Sequence, residues 1–239
     1  MDTKKKIVKK RKFNLFRTVF FLFSLYLIYL LIMYIINLPI RNILIIGNSY
    51  VSDKEIIDKL ELKEYPSIIK FNSDKAKKLL LEDSLIEDVV IMKKFDRELT
   101  IKVTENVPLF YKKSGVVVLS NEEEIERSND FYGLPTLVNY VPDKVYTEFI
   151  AAYKNIDGDI RKLINTIEYS PSTNASGTVI EEKRFILSMN DSNVIYAIPE
   201  YLKNLNYYLD ILSSLNGKKG VINFETGRYD SFVFTEWGE

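Results

Sequence analysis

The sequence predicts an α+β protein with one N-terminal membrane-spanning helix, a small β-α-α-β-β unit and then a β-rich domain that carries helices. Three observations lead there. An uncharged apolar run extends from Thr18 to Leu38, the next stretch alternates strand-like and helix-like periodicity in the order β-α-α-β-β, and the second half breaks into short β-branched runs separated by turn residues.

The apolar run reads TVFFLFSLYLIYLLIMYIINL. About 20 residues rising ~1.5 Å each cross a hydrocarbon core of ~30 Å. Tyr34 falls near the outer interface, where aromatic residues collect. A cleaved signal peptide is the rival reading, but its apolar region is shorter, and Asn37-Leu38-Pro39-Ile40-Arg41 offers no small-residue pair for cleavage. Lys4, Lys5, Lys6, Lys9, Lys10, Arg11, Lys12 and Arg17 precede the run against one acid, Asp2. By the positive-inside rule residues 1–17 are a cytoplasmic tail, residues 18–38 the span, and everything beyond lies outside the cytoplasm. Contact with anionic lipid is a sharper reading of the basic cluster, but topology accounts for it.

Past the membrane, Ile40–Ile46 is β-branched and apolar and reads as a strand, closed by Gly47-Asn48. Ser52-Asp53-Lys54-Glu55 is a capping box that opens a helix with Ile56, Ile57 and Leu60 on its apolar face. Asn72 or Ser73 caps a second helix with Ala76, Leu79, Leu80 and Leu81 inward. Strands follow at 89–95 and 99–105, the latter placing Leu99, Ile101 and Val103 on one face.

In the second half, Val116–Leu119 and Leu134–Val138 read as strands, with Glu122–Glu124 as solvated surface between them. A helix covers Lys144–Tyr153 with Val145, Phe149 and Ala152 on one side. Ile164–Tyr169 and Val179-Ile180 are strand pieces. Arg184–Met189 and Val194–Ile198 flank a short polar turn and predict a hairpin. Pro199 opens a helix to about Leu215, with Leu202, Leu205, Leu209 and Leu212 spaced for one face. Val221–Phe224 is a last strand, and Tyr229–Phe234 is a further extended segment or a loose tail.

Composition narrows the chemistry. The 239 residues contain no Cys and no His, which excludes thiolate nucleophiles, His-based triads and His or Cys metal ligands. Basic and acidic residues both number 33; with eight of the former and one of the latter ahead of the span, the remainder carries roughly −7, which disfavours nucleic acid. The few glycines form no phosphate loop. No Ser-x-x-Lys motif stands at a helix start, so a membrane-anchored Ser-Lys hydrolase has little support. Glu181 and Glu182, adjacent on a strand, point to opposite faces and make a poor glycosidase pair.

Several features together resemble the FtsQ/DivIB family of bacterial cell-division proteins. They are the short basic tail and single span, Ile45-Ile46-Gly47-Asn48 followed by Tyr50-Val51-Ser52, Ile57 in the first helix, Leu85–Val89, Phe95–Leu99, and the run Ile101-Lys102-Val103-Thr104-Glu105-Asn106-Val107-Pro108. The order and spacing over residues 1–113 carry the resemblance. The second half matches more loosely, and Ile222-Asn223-Phe224 departs from the Asp-Leu-Arg-type run common near that position.

The resemblance implies a first external domain of the polypeptide-transport-associated (POTRA) type at 39–110. It implies a β-rich domain at 111–226 and a tail or edge segment at 227–239. It further implies a non-enzymatic scaffold of the division machinery, without cofactor, metal or small-molecule substrate. Its partners would be DivIC/FtsB-like and FtsL-like single-pass proteins, through which it would affect septal cell-wall synthesis. The physical route would be strand addition at an exposed sheet edge. Val221, Ile222, Asn223, Phe224, Tyr229, Phe232 and Phe234 are the candidate contacts, although Val221, Ile222 and Phe224 could equally be core. The alternative is a POTRA-containing component of envelope protein transport or assembly.

Overall fold

The computed structural model describes residues 14–126, 131–225 and 232–238. The chain divides into two compact units, Met1–Glu82 with Asp88–Val103, and Asp83–Glu87 with Thr104–Glu239.

The first unit begins with α1 (Leu15–Ile36), a helix long and apolar enough to cross a membrane, with none of its residues buried against the protein. The Asn14 side chain caps its start by accepting from Arg17 N–H. It stops at Ile36 because the Asn37 side chain donates back to the Met33 carbonyl at 2.7 Å and Pro39 cannot continue a helix. Next comes β1 (Asn42–Ile46). Gly47 follows at φ +88°, and a Cβ there would sit 2.2 Å from the Val103 carbonyl oxygen. Only glycine combines that conformation with that approach.

The predicted capping box opens α2 (Asp53–Lys59): Glu55 N–H donates to Ser52 Oγ, and Ser52 N–H donates to the Glu55 carboxylate. Asn72 accepts from Lys75 N–H at 2.9 Å to start α3 (Ser73–Leu80). Ile56, Leu60, Ala76 and Leu80 are buried, as the periodicity requires. Leu81, expected inward, is exposed, because the helix ends before it and the chain turns away. The sheet has the order β1-β3-β2, with β2 at Ile86–Lys93 and β3 at Glu98–Glu105. β1 runs parallel to β3, and Leu99, Ile101 and Val103 are buried. The first hairpin strand ends at Lys93 rather than Phe95 because Lys94 N–H bonds the Glu98 carbonyl and closes the turn.

The second unit is built on a nine-stranded sheet of order β14-β13-β12-β11-β8-β7-β4-β5-β6. Its strands are β4 (Pro108–Lys112), β5 (Val117–Leu119), β6 (Glu124–Ile125), β7 (Thr136–Leu137), β8 (Ile164–Tyr169), β11 (Phe185–Met189), β12 (Val194–Ala197), β13 (Gly220–Asn223) and β14 (Val233–Glu236). A separate ribbon pairs β9 (Ser172–Thr173) with β10 (Val179–Glu181). Position 110, where the sequence suggests a domain boundary, falls inside β4.

Parallel neighbours in the sheet need crossovers. α4 (Asp143–Tyr153) and α5 (Gly158–Arg161) connect β7 to β8, and a 3-10 helix (Pro199–Tyr207) running into α6 (Tyr208–Ser214) connects β12 to β13. An aromatic cluster joins helix to sheet: Phe149 stacks on Phe185 at 4.1 Å and on Tyr153 at 5.1 Å, and Phe110 meets Tyr153 edge-on.

The long helix predicted from Pro199 is mostly 3-10. A 3-10 turn eclipses residues three apart, so Pro199, Leu202, Leu205 and Tyr208 all face inward. Ile211 and Leu215 continue the buried face into the α-helical part. Leu209, expected inward at α-helical spacing, is thereby turned to the surface.

A polar network pins the start of β13. Asn193 is fully buried; its Oδ1 accepts from Gly220 N–H at 3.0 Å, and its Nδ2 donates to Asp191 Oδ2 and to Tyr208 Oη. Tyr208 Oη and Lys219 Nζ also donate to the Asp191 carboxylate, at 2.9 and 3.1 Å. Burial pushes the Asp191 carboxyl up, but the bonds from Asn193 N–H, Lys219 and Tyr208 outweigh it and leave it below its ordinary 3.8.

Three outcomes follow from this packing. Gly47→Ala should cost roughly 2–3 kcal/mol of stability by denaturant unfolding of the full chain in detergent. Asn193→Ala should cost about 1–3 kcal/mol by the same measurement, because it strands the Gly220 N–H and removes a donor from Asp191 and from the Tyr208 oxygen. Because the folded-state pKa of Asp191 is depressed, its ionised form stabilises above the unfolded value, and that contribution is lost as pH falls through the folded one. The stability gap between wild type and Asp191→Asn should therefore narrow on acidification from about pH 5 to about pH 2, read from melting temperatures.

Candidate partner-binding edge

An open sheet has two edges, and each exposes a row of backbone groups. At one edge β6 has only two residues, and Glu124 on it is ion-paired with Lys112. A cleft of ≈ 400 Å³ beside it is lined by Lys112, Glu124, Tyr140 and Tyr146, among others, but its Lys112–Glu124 pair is already mutually satisfied. At the other edge β14 is longer and pairs antiparallel with β13, matching Val233 with Asn223, Phe234 with Ile222, Thr235 with Val221 and Glu236 with Gly220. Its far side pairs with no strand among the described residues.

The ladder register identifies the outward backbone groups. Trp237 N–H donates to the Lys219 carbonyl, while Gly220 N–H and Phe224 N–H point the other way, to Asn193 Oδ1 and to the Tyr196 carbonyl in β12. By the alternation of an antiparallel pair, Val233 and Thr235 bond to β13, and the N–H and C=O of Phe234 and Glu236 face outward. Gly220 makes this close pairing possible, since a Cβ there would lie 2.0 Å from the Thr235 carbonyl oxygen.

Side chains alternate as well. Phe232 and Phe234 are half-buried against the core, with Phe232 meeting Phe224 edge-on at 6.3 Å. Val233 and Trp237 are both 53% exposed. Trp237 is held in place by its indole N–H, which donates to the Ser192 carbonyl at 3.1 Å, and Glu236 pairs with Lys218 at 2.7 Å.

The candidate contacts predicted from sequence separate accordingly. Ile222 and Phe224 are fully buried core residues, and they lie on or next to a strand already paired on both sides; neither can meet a partner without unfolding the edge. Val221 and Asn223 are half-buried on the same inner strand, and the Asn223 side chain is engaged with Glu225. Tyr229 lies outside the described residues. Phe232 and Phe234 are on or beside the edge strand, facing the core rather than outward. The sequence reading missed Val233, Glu236 and Trp237. The period-two alternation of Phe232, Val233, Phe234, Thr235, Glu236 and Trp237 was the signal for them. Among the described residues no cluster of three acidic side chains is placed to hold a metal ion.

Residues 38–106 match the FtsQ-type POTRA domain family. The chain is 28% identical to the cell division protein DivIB of Bacillus subtilis (strain 168) over 98% of its own length and 89% of that protein's. It is also 28% identical to DivIB of Lentilactobacillus buchneri over 80% of this chain and 74% of the other. The major extracytoplasmic domain of DivIB from Geobacillus stearothermophilus, solved as its trans isomer, aligns over 47% of this chain and 96% of that domain, with 18% identity and a TM-score of 0.37. The matched POTRA domain, the β-α-α-β-β order of its elements and the likeness to DivIB proteins over most of the chain make residues 38–106 a POTRA domain of the FtsQ type and the chain as a whole similar to the FtsQ/DivIB bacterial cell-division proteins.

Proposed function

We propose that this chain is a non-enzymatic scaffold of the division machinery, held in the cell membrane by α1 with its amino end in the cytoplasm. Its β14 edge receives a strand from a DivIC/FtsB-like or FtsL-like single-pass protein, and that assembly helps control septal cell-wall synthesis. The observation that carries the reading is the side of β14 that pairs with no strand among the described residues, at the end of a nine-stranded sheet whose opposite edge is blunted by shortness and charge. Strand addition there would satisfy the outward groups of Phe234 and Glu236, and Val233 and Trp237 would supply apolar contacts. The basic cluster before α1 supports the orientation, and the relatives named as cell division proteins support the cellular role.

A proline placed where the N–H faces outward blocks a partner strand without breaking the intrachain ladder. Glu236→Pro in the full chain should weaken binding of a co-purified DivIC–FtsL pair by ~10-fold or more while leaving the melting temperature nearly unchanged. Binding that stays at the wild-type level with the fold intact would sink the edge-strand assignment. A fluorescent fusion should concentrate at mid-cell septa; an even envelope signal would favour the transport or assembly reading instead.

A further inference from the structure

The chain leaves α1 without a free linker. The Ile36 carbonyl accepts from Ser67 Oγ at 2.6 Å, and the Asn37 side chain accepts from Lys70 Nζ at 2.6 Å. Ile68 N–H donates to the Leu38 carbonyl and Ile40 N–H to the Pro66 carbonyl. One residue on, Arg41 N–H donates to the Arg97 carbonyl, at the turn between β2 and β3. Because β1 and β3 start side by side and run parallel, that turn and the 62–71 loop both lie at the end of the unit where α1 emerges. Lys93 Nζ ties the two loops together by donating to the Phe71 carbonyl.

This end carries apolar side chains with no core to join. Phe95 projects from the β2–β3 turn fully exposed, and Tyr65 and Ile69 on the other loop are each 50% exposed. Single exposed apolar residues need no explanation, but here three occur on two loops fastened to the exit of one helix. Arg41, Lys70 and Arg97 stand among them. Of the acids on these two segments, Asp96 accepts from Glu98 N–H inside the turn and Glu98 is paired with Lys94, while Glu64, exposed beside Tyr65, is outnumbered by the three cations. Aromatic and aliphatic side chains interleaved with Lys and Arg are the composition that seats a surface at the headgroup level.

We infer that this rim of the POTRA domain lies on the leaflet into which α1 emerges, with Phe95, Tyr65 and Ile69 entering the headgroup layer and Arg41, Lys70 and Arg97 against lipid phosphates. The inference rests on the reading of α1 as a membrane span. A helix of 22 residues rises about 33 Å, so Ile36 reaches the far boundary of a ~30 Å hydrocarbon core. Groups hydrogen-bonded to residues 36–41 are thereby held at headgroup depth. The domain is then oriented on the membrane at more than one point and cannot swivel about the helix axis.

The chain has no cysteine, so single cysteines can carry an environment-sensitive fluorophore in the full-length protein. Three sites serve: Lys94→Cys beside Phe95, Ile28→Cys within α1, and Lys102→Cys, exposed and paired with Ile46 at the end of the β1–β3 ladder away from the rim. In nanodiscs containing phosphatidylglycerol and a headgroup-region quencher lipid, the label at 94 should be quenched ~3-fold or more above the label at 102. Adding Phe95→Ser, or Lys70→Glu with Arg97→Glu, should remove at least about half of that difference. If position 94 behaves like 102 while 28 is shielded from a water-borne quencher, the rim does not touch the membrane and the inference fails, although the span stands. If 28 is open to the water-borne quencher, the span reading itself fails, and the rim inference with it.

Discussion

The need of every backbone N–H and C=O for a partner decides how this protein is arranged from one end to the other. Within α1 the helix meets that need internally, which is what hydrocarbon demands. At the helix end the last carbonyls would go unmet, and here the protein supplies Ser67 and the Asn37 side chain on the spot. The strand-like bonds of residues 38–41 to the 66–68 loop and to Arg97 continue the same satisfaction without a break. Near the opposite end of the chain the requirement is left open, because among the described residues β14 closes the sheet with one side unpaired.

That contrast has an energetic sense. Ordering the exit of α1 costs conformational freedom once, at folding, and on the proposed reading it then holds the POTRA domain against the bilayer. An unpaired edge that faces water loses little while alone, since water satisfies it, and gains specificity when a partner strand replaces that water. The edge is kept from indiscriminate pairing by its four-residue length and by Glu236 with its Lys218 partner. The Asp191–Asn193–Tyr208–Lys219 network lies behind it and holds the start of β13 at the register on which β14 depends. Deleting a member of that network would therefore disturb the edge without touching an exposed residue.

Local chemistry was legible wherever a residue acts on its own neighbours. The Ser52–Glu55 capping box, the Asn72 cap and the 185–197 hairpin all appear in the structure as their residues imply. Where the reading failed, the cause lay in a choice that periodicity alone does not make. Leu202 and Leu205 fit both a 3.0 and a 3.6 repeat; the packing of Pro199 and Tyr208 selects the former and turns Leu209 out. Ile222 and Phe224 read as strand residues with an apolar face, which suits a partner-facing edge as well as a core.

From the sequence alone came the uncharged helix, the basic residues ahead of it, the β-α-α-β-β order and the exclusion of Cys- and His-based chemistry, because each depends on composition or on spacing within a few residues. Which strand is the edge was decided only by tertiary structure. β13 becomes interior because β12 flanks it on one side and β14 on the other, both pairings set by crossovers and by the close approach at Gly220 rather than by any property of Val221–Phe224. The gathering of Tyr65, Ile69 and Phe95 at the exit of α1 is likewise a product of the parallel β1–β3 register, since residues 41 and 97 have no local relation in the chain.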